Sequence, residues 1–452
     1  MGVRCPWVQS RAGSLVVLAA VCAVGVARAD HLPPEELAKK NEGGYVTGLP
    51  LFAYTTDIGL GLGARLYYFW NGHRDDPRFK DTPYLYRLFL QGFASTGGVQ
   101  FHWLDFDAPK IFESPYRVRS QLIFQRNTNS NYFGLGNHAL DPLQFHGSGR
   151  YDSYDDYTRD QKILAADGTA YSKYDQYDLL RPLFIASVER LFLGDRIRVL
   201  GGVGVSYARV RTYDGKKVDA TNLDGTSTSA IEASTRLGED CAAGKVVGCK
   251  GGRDNFLRFG VSYDTRDYEP DPNTGVFLDL AVDTATVAIG SGYNYVRALA
   301  AARGYWSPFP CRADLVLAGR LVIEGQTNGA PVFSMDTLPF TEDPRAGLGG
   351  HRTLRGFRQD RFVGSVMTMA NAEVRWTWGH LKLKSQRFGF ILVPFFDIGR
   401  PYDSLGDLSL RKWRPSYGGA FRIAWNLATI ITADYGRSSE DSGLYINFNH
   451  IF

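Results

Sequence analysis

Eight histidines are spread along the 452 residues, and none sits at the spacing of a metal site or a Ser/His/Asp triad. His102, His351 and His380 are isolated and read as polar contacts. The nucleophile elbow G-x-S-x-G, the zinc motif H-E-x-x-H and the phosphate-cradling Walker loop do not occur. No catalytic residue, metal or cofactor is therefore expected; a hydrolase assembled from distant residues is the one enzymatic option left. Cys241 and Cys249 do point to a bond. They lie eight apart in a Gly-rich loop, and an exported chain permits a disulfide between them. Zinc is the poorer reading, since no His or second Cys pair is near. The stretch 151–179, rich in Tyr and Asp, lacks the acidic ladder of a calcium loop and is expected as an exposed loop.

The N-terminus sets the compartment. Arg4 and Arg11 precede an apolar run from Ser14 to Val26 that is too short to span a membrane, and Ala27-Arg28-Ala29 is a small-x-small cleavage site. Residues 1–29 therefore read as a secretory signal peptide, with a short N-terminal anchor as the alternative. Cys22 does not mark a lipoprotein site, because Val21 before it is not small. Removing 1–29 takes away three arginines and no acid, so 51 basic residues become 48 against 47 acidic ones. That balance gives no reason to expect nucleic acid.

The elements that position these residues are strands. The chain holds 50 glycines, is 13% aromatic, and has a mean hydropathy of -0.22. After the leader no apolar run approaches the roughly 18–20 residues of a membrane helix. What recurs is alternation with period two. Leu444, Ile446, Phe448, His450 and Phe452 share one face, and Tyr445, Asn447 and Asn449 the other. Tyr417, Phe421 and Ile423 oppose Ser416 and Arg422. Val374, Trp376 and Trp378 oppose Glu373 and Arg375. Leu317, Leu321 and Ile323 oppose Arg320 and Glu324; Leu278 and Leu280 oppose Asp279 and Asp283. Each strand thus has an apolar wall and a polar wall.

A soluble sandwich would turn the apolar wall inward, whereas an outer-membrane barrel turns it outward to lipid. Strand lengths of about 10–12 residues suit a tilted membrane strand. Aromatics also gather at strand ends, as in Tyr67-Tyr68-Phe69-Trp70 and Tyr305-Trp306, in the manner of interfacial girdles. The pattern yields about sixteen strands, and an even number lets the barrel close with both termini on one side. The longest gaps, near 127–179, 212–253 and 325–365, then all fall on the extracellular side. The expected fold is all-β: a 16-stranded antiparallel transmembrane β-barrel over 45–452, preceded by a short periplasmic segment over 30–44.

Gly349-Gly350-His351-Arg352-Thr353-Leu354-Arg355-Gly356-Phe357 stands in the third long gap. It resembles the [VL]-R-G-[FY] signature of the BamA/TamA superfamily, the bacterial surface-antigen barrels. Further matches follow in order. Tyr132-Phe133-Gly134-Leu135-Gly136-Asn137 is similar to a segment common among these barrels. Asp264-Thr265-Arg266-Asp267 with Pro270 and Gly275 resembles the family's periplasmic turn. Asn371-Ala372-Glu373-Val374-Arg375-Trp376 and Phe395-Phe396-Asp397-Ile398-Gly399 resemble the two strands after the signature loop. The resemblance covers essentially the whole mature chain. It implies sixteen strands, an extracellular loop inserted into the lumen, and residence in the bacterial outer membrane. It also implies that the last strand, with Phe448 and Phe452, carries the signal read by the barrel assembly machinery. The segment 30–44 is too short for the POTRA domains of BamA and TamA, so a POTRA-less branch is expected.

The resemblance places acids against the signature arginine. Arg355 is expected to bridge Glu373 and Asp397 and to lock the loop across the lumen, with Gly356 allowing the turn and Phe357 packing on the wall. Gly43, Gly44, Gly48 and Pro50 weaken pairing in the first strand, which suits a seam with the last one, although Gly also fills tight strand corners. The function implied is assisted insertion or export of envelope proteins or lipids. A plugged or passive pore, and a surface-binding barrel acting through its long outer loops, are the alternatives.

Overall fold

A computed structural model describes residues 37–38, 40–55, 59–309, 313–342, 344–384, 386–426 and 429–452. The leader over 1–29 lies outside the described residues. Among the described residues, sixteen strands form one antiparallel sheet in which each pairs with the next in sequence, and a two-residue strand, Gly252–Arg253, adds to the end of the seventh. The sixteen are β1 Gly44–Thr55, β2 Gly59–Trp70, β3 Tyr86–Ser95, β4 Gln100–Ala108, β5 Tyr116–Asn131, β6 Gln176–Phe192, β7 Ile197–Arg211 and β8 Phe256–Asp264. There follow β9 Gly275–Ala285, β10 Tyr295–Trp306, β11 Leu315–Gln326, β12 Val366–Leu383, β13 Gln386–Tyr402, β14 Arg414–Trp425, β15 Thr429–Ser438 and β16 Ser442–Phe448. The ladder runs unbroken from β1–β2, in register from Gly44↔Trp70 to Thr55↔Gly59, to β15–β16.

The two walls of the sheet are inverted relative to a soluble protein. Leu444 is 67% exposed and Leu321 62%, while Arg320 is 1% and Glu324 0% exposed. The same holds on β9, where Leu278 and Leu280 face out and Asp279 and Asp283 are buried. Buried arginines and acids at this density are costly unless they pair, and most of them do so on the concave side. Arg258 and Arg297 both bind Asp283, for example, and Arg117 binds Asp107.

The two ends of the sheet meet. Thr47 Oγ1 on β1 lies 2.9 Å from Thr429 Oγ1 on β15, and Tyr67 on β2 packs edge-on against Phe448 with ring centroids 5.2 Å apart. Arg65 on β2 donates to the Asn447 side chain. Among the described residues no backbone ladder joins β1 to β16.

The three longest connections, 132–175, 212–255 and 327–365, leave the same end of the sheet. They fold together as a cap. It contains helices α1 Tyr154–Gln161 and α2 Arg236–Ala242 and a hairpin of Lys217–Thr221 with Ser227–Ile231. The stretch expected as an exposed loop is therefore partly packed: Tyr154 and Tyr157 of α1 are buried beside Phe133 and Leu143. Aromatic rings in a polar stretch supply apolar area that simple alternation does not reveal. Cys241 on α2 is bonded to Cys249, and Val246 and Leu237 beside this link pack with Val332 and Phe333 of the third connection.

The C-terminal residues depart from the expected alternation. Asn449 has φ of 64°, and the chain turns inward there. Phe448 joins the buried cluster of Tyr67, Phe69 and Phe89, and Phe452 is only 5% exposed, beside Tyr305. Phe448, His450 and Phe452 thus do not share the outer wall with Leu444 and Ile446. Phe448 is already buried at the end of the strand, and the left-handed residue after it breaks the pleat, so His450 and Phe452 lose their parity.

Candidate functional site

The third connection runs along the concave side, where its main-chain carbonyls need donors. Arginines from the sheet supply them. Arg181 on β6 donates to Phe333 O. Arg297 on β10 donates to Ser334 O at 2.6 Å, and Arg119 on β5 to Glu342 O at 3.2 Å. Arg320 on β11 reaches Arg352 O at 2.7 Å.

The motif Leu354-Arg355-Gly356-Phe357 then crosses to strands β12–β15. Arg355 Nε and Nη2 bond the two oxygens of Asp397 on β13, both at 2.8 Å. Its Nη1 bonds Glu373 Oε1 on β12 at 2.8 Å and Asp434 Oδ2 on β15 at 2.9 Å. The guanidinium carbon stacks 3.3 Å from the centroid of the Phe395 ring. Every one of these groups is buried.

Each carboxylate is held again from the wall. Glu373 also accepts from Arg422 at 2.7 and 2.9 Å and from Arg375 at 2.9 Å. Asn371 donates to Asp397 at 2.8 Å and to Thr353 O at 2.7 Å. Three guanidinium groups (Arg355, Arg375, Arg422) thus meet three carboxylates (Glu373, Asp397, Asp434). An arginine keeps its proton in proteins, so this cluster does no acid–base work; it fixes position.

The flanking residues fit the motif's geometry. Gly356 has φ of 96°, and a Cβ there would lie 2.6 Å from Arg437 N. Only glycine lets the loop approach β15 this closely. Leu354 and Phe357 are buried with Phe340, Leu348 and Met369, and Phe357 meets Phe362 edge-on at 5.0 Å.

The inward-turned tail lies under the cluster. His450 Nδ1 is 2.6 Å from Arg422 Nη1 and its Nε2 is 2.8 Å from Asp271 Oδ1. Arginine only donates, so Nδ1 accepts and Nε2 carries the proton toward Asp271. Arg375 donates to Phe452 O at 2.9 Å. Beyond the tail a vestibule of about 960 Å³ opens among the ends of β12–β14 and the turn 265–274.

The structure brings Arg355, Glu373 and Asp397 together and bonds Cys241 to Cys249; it sets Phe448 and Phe452 apart, on the inside. Sequence reasoning missed Asp434, Arg375 and Arg422 as partners. The parity of Arg375 and Arg422 placed them on polar faces, but nothing in a single strand tells which inward residues on different strands lie at one height.

A buried loop arginine is thus shared by acids of β12, β13 and β15, on a sheet with its greasy wall outside. The Omp85 superfamily domain matches residues 102–448, over three quarters of the chain. The chain belongs to the Omp85 superfamily. As an Omp85 protein it resides in the bacterial outer membrane, where its apolar wall meets hydrocarbon. A domain of unknown function, DUF5982, matches residues 24–85 and takes in β1, β2 and the turn after them. Among solved structures, the chain is similar to BamA from Haemophilus ducreyi lacking POTRA domains 1-3. The identity is 12% and the TM-score 0.47, covering 91% of this chain and 70% of that one. It is also similar to CdiB from Escherichia coli, at 9% identity and a TM-score of 0.48, covering 90% of this chain. This Omp85 chain spans 61% of the length of that CdiB. No curated protein matches.

Proposed function

We propose that the sixteen strands close into one transmembrane barrel that assists the insertion or export of an envelope protein or a lipid. The observation that carries this reading is the join between the first and last strands. β16 has 7 residues against 12 in β1, and among the described residues side chains rather than a ladder hold the ends together. Pro50 on β1 cannot donate a backbone hydrogen bond, which suits an edge. A join without a ladder is the weakest line around a barrel, and cargo leaving sideways would pass there.

In this reading residues 1–29 are the signal peptide, 30–44 a periplasmic segment and 45–452 the barrel. Arg355, with Glu373 and Asp397, locks the inserted loop as a plug. Outer-membrane lipid surrounds the barrel, and the barrel assembly machinery reads Phe448 and Phe452 before the tail folds inward. Steady flow through a pore is the poorer reading, because Tyr132, Leu179, Leu237, Val332 and Phe333 are buried across the capped end. A surface-binding role is the second reading; the hairpin favours it by exposing Leu223 and Ile231.

The test is a lock across the join. Thr47→Cys with Thr429→Cys is oxidised in cells depleted of the native protein. Depletion is expected to disturb other envelope components, with rescue by the reduced form only. An undisturbed envelope on depletion would sink the assembly reading, and rescue by the locked form would sink the sideways route.

A further inference from the structure

On the outer wall, the columns of β5, β7 and β8 end alike at the capped end of the sheet. On β7 the outward residues Val199, Val203, Val205 and Tyr207 lead to Arg209 and Arg211. On β5 Val118, Leu122 and Phe124 lead to Arg126. On β8 Tyr263, Val261, Phe259 and Leu257 run toward the same end. Arg253, in the two-residue strand before β8, extends that column: it stands opposite Tyr207, and cross-strand partners share a face.

The register sets these four arginines side by side. Arg126 and Arg209 both stand opposite Leu180 of β6, so two strand spacings, about 10 Å, separate them. Arg211 lies one outward step beyond Arg209, and Arg253 lies beside Tyr207, one step before it. Arg211 and Arg253 are exposed, Arg126 and Arg209 half-buried. One acid, Asp178, stands opposite Arg211. Among the described residues none of the four arginines makes an ion pair.

Their height decides what they meet. Arg253 precedes Tyr263 by ten residues. That is about 33 Å of strand and, at the tilt of a membrane barrel, roughly the 25 Å height of its apolar band. The arginines therefore stand at the upper edge of the hydrocarbon and on the wall that faces it. Their stems lie along apolar surface while the guanidinium groups reach the level of the lipid heads.

We infer that this rim binds the head of a phosphorylated lipid of the outer leaflet. Phosphate oxygens match planar guanidinium forks, and the carboxylates of the chain leave these forks untaken. Leu180 and Tyr207, set among the arginines, offer apolar area to the adjoining acyl chains. This is one defined site on four of the sixteen strands, beyond the general contact of the wall with the bilayer, and it does not depend on the assembly reading.

The experiment uses the full-length protein in an uncharged detergent, with native mass spectrometry counting the bound lipids. Lipid A, a glycolipid with two phosphates, is titrated in one arm and phosphatidylcholine, whose phosphate is balanced by an ammonium, in the other. Saturable binding of one lipid A per chain is expected, roughly tenfold or more tighter than phosphatidylcholine. The combined Arg209→Gln, Arg211→Gln and Arg253→Gln variant should weaken lipid A binding by about the same factor while the folded barrel keeps its heat-modifiable gel mobility. Arg126→Gln alone should weaken it several-fold and serves if the combined variant does not fold. Arg190→Gln, at the other end of the same wall on β6, should leave it unchanged. Equal affinity for the two lipids, an equal loss in Arg190→Gln, or native affinity in the folded rim variants overturns the inference.

Discussion

Arg422 and Glu373, on β14 and β12, bond through both nitrogens and both oxygens at 2.7 and 2.9 Å, and Glu373 is the same acid that receives Arg355. The acid that grips the loop is thus itself gripped from the wall. Glu373 is paired from the sheet as well as from the loop, so the cost of desolvating it is shared between strand and loop.

Removing the loop arginine should expose that sharing. Arg355→Ala leaves Asp397 without its forked partner and is expected to cost about 3–5 kcal/mol, as for a broken buried pair. Arg355→Lys should fall between, since an ammonium cannot hold both oxygens of Asp397 and also reach Glu373. Denaturant midpoints in micelles give the energies, and protease cutting within 327–365 reports loop release. A variant with the native midpoint and an uncut loop would refute the lock.

Asp434 is a full member of the cluster. Asp434→Asn combined with Arg355→Lys should show a coupling energy of roughly 0.5–3 kcal/mol, the range for residues in contact. A double-mutant cycle measures it; strict additivity would mean that the 2.9 Å bond between them contributes nothing.

Gly356→Ala should destabilise by about 1–3 kcal/mol from the left-handed backbone alone. The close approach to Arg437 adds to that, so the loop should release at lower denaturant than in the native protein. Equal midpoints would show that the loop and β15 can separate without loss.

The fold was legible because the strands alternate over long stretches: Leu317, Leu321 and Arg320 need no partner to declare their faces. Alternation alone does not give the direction of those faces, since a sandwich and a barrel share it; strand length and the aromatic strand ends pointed outward. Within the site, Glu373 and Asp397 were reachable only through the resemblance of their strands to a known family. Asp434 belonged to no recognised motif, and its height relative to Arg355 depends on the stagger of four strands. His450 and Phe452 were misread because one residue, Asn449, adopts a conformation that its sequence permits but does not demand, and Phe448 because it is packed against Tyr67 across the join.

In the cap, Glu232 precedes α2 and is fully buried, with one oxygen accepting from Lys173 N at 3.0 Å. Burial raises its carboxyl from 4.5 to about 8. The folded state therefore holds this proton where the unfolded chain has lost it. Its contribution to stability is complete below pH 4.5 and falls away as pH rises to about 8. Glu232→Gln should flatten that loss. Hydrogen exchange in 213–235 across this interval tests it, and an unchanged slope in the variant would rule the group out.

Cys241→Ser with Cys249→Ser should leave the sheet intact and loosen the cap. The link closes a short loop, for which the chain-entropy account gives roughly 2–3 kcal/mol. Faster proteolysis between 236 and 250, with unchanged heat-modifiable mobility, is the expected result. Equal proteolysis rates would show that the packing of Val246 and Leu237 suffices without it.

Arg181, Arg297 and Arg320 hold the third connection by its carbonyl oxygens, which every amino acid carries. These three clasps therefore do not depend on which side chains stand at 333, 334 and 352, whereas the arginines that make them must stay.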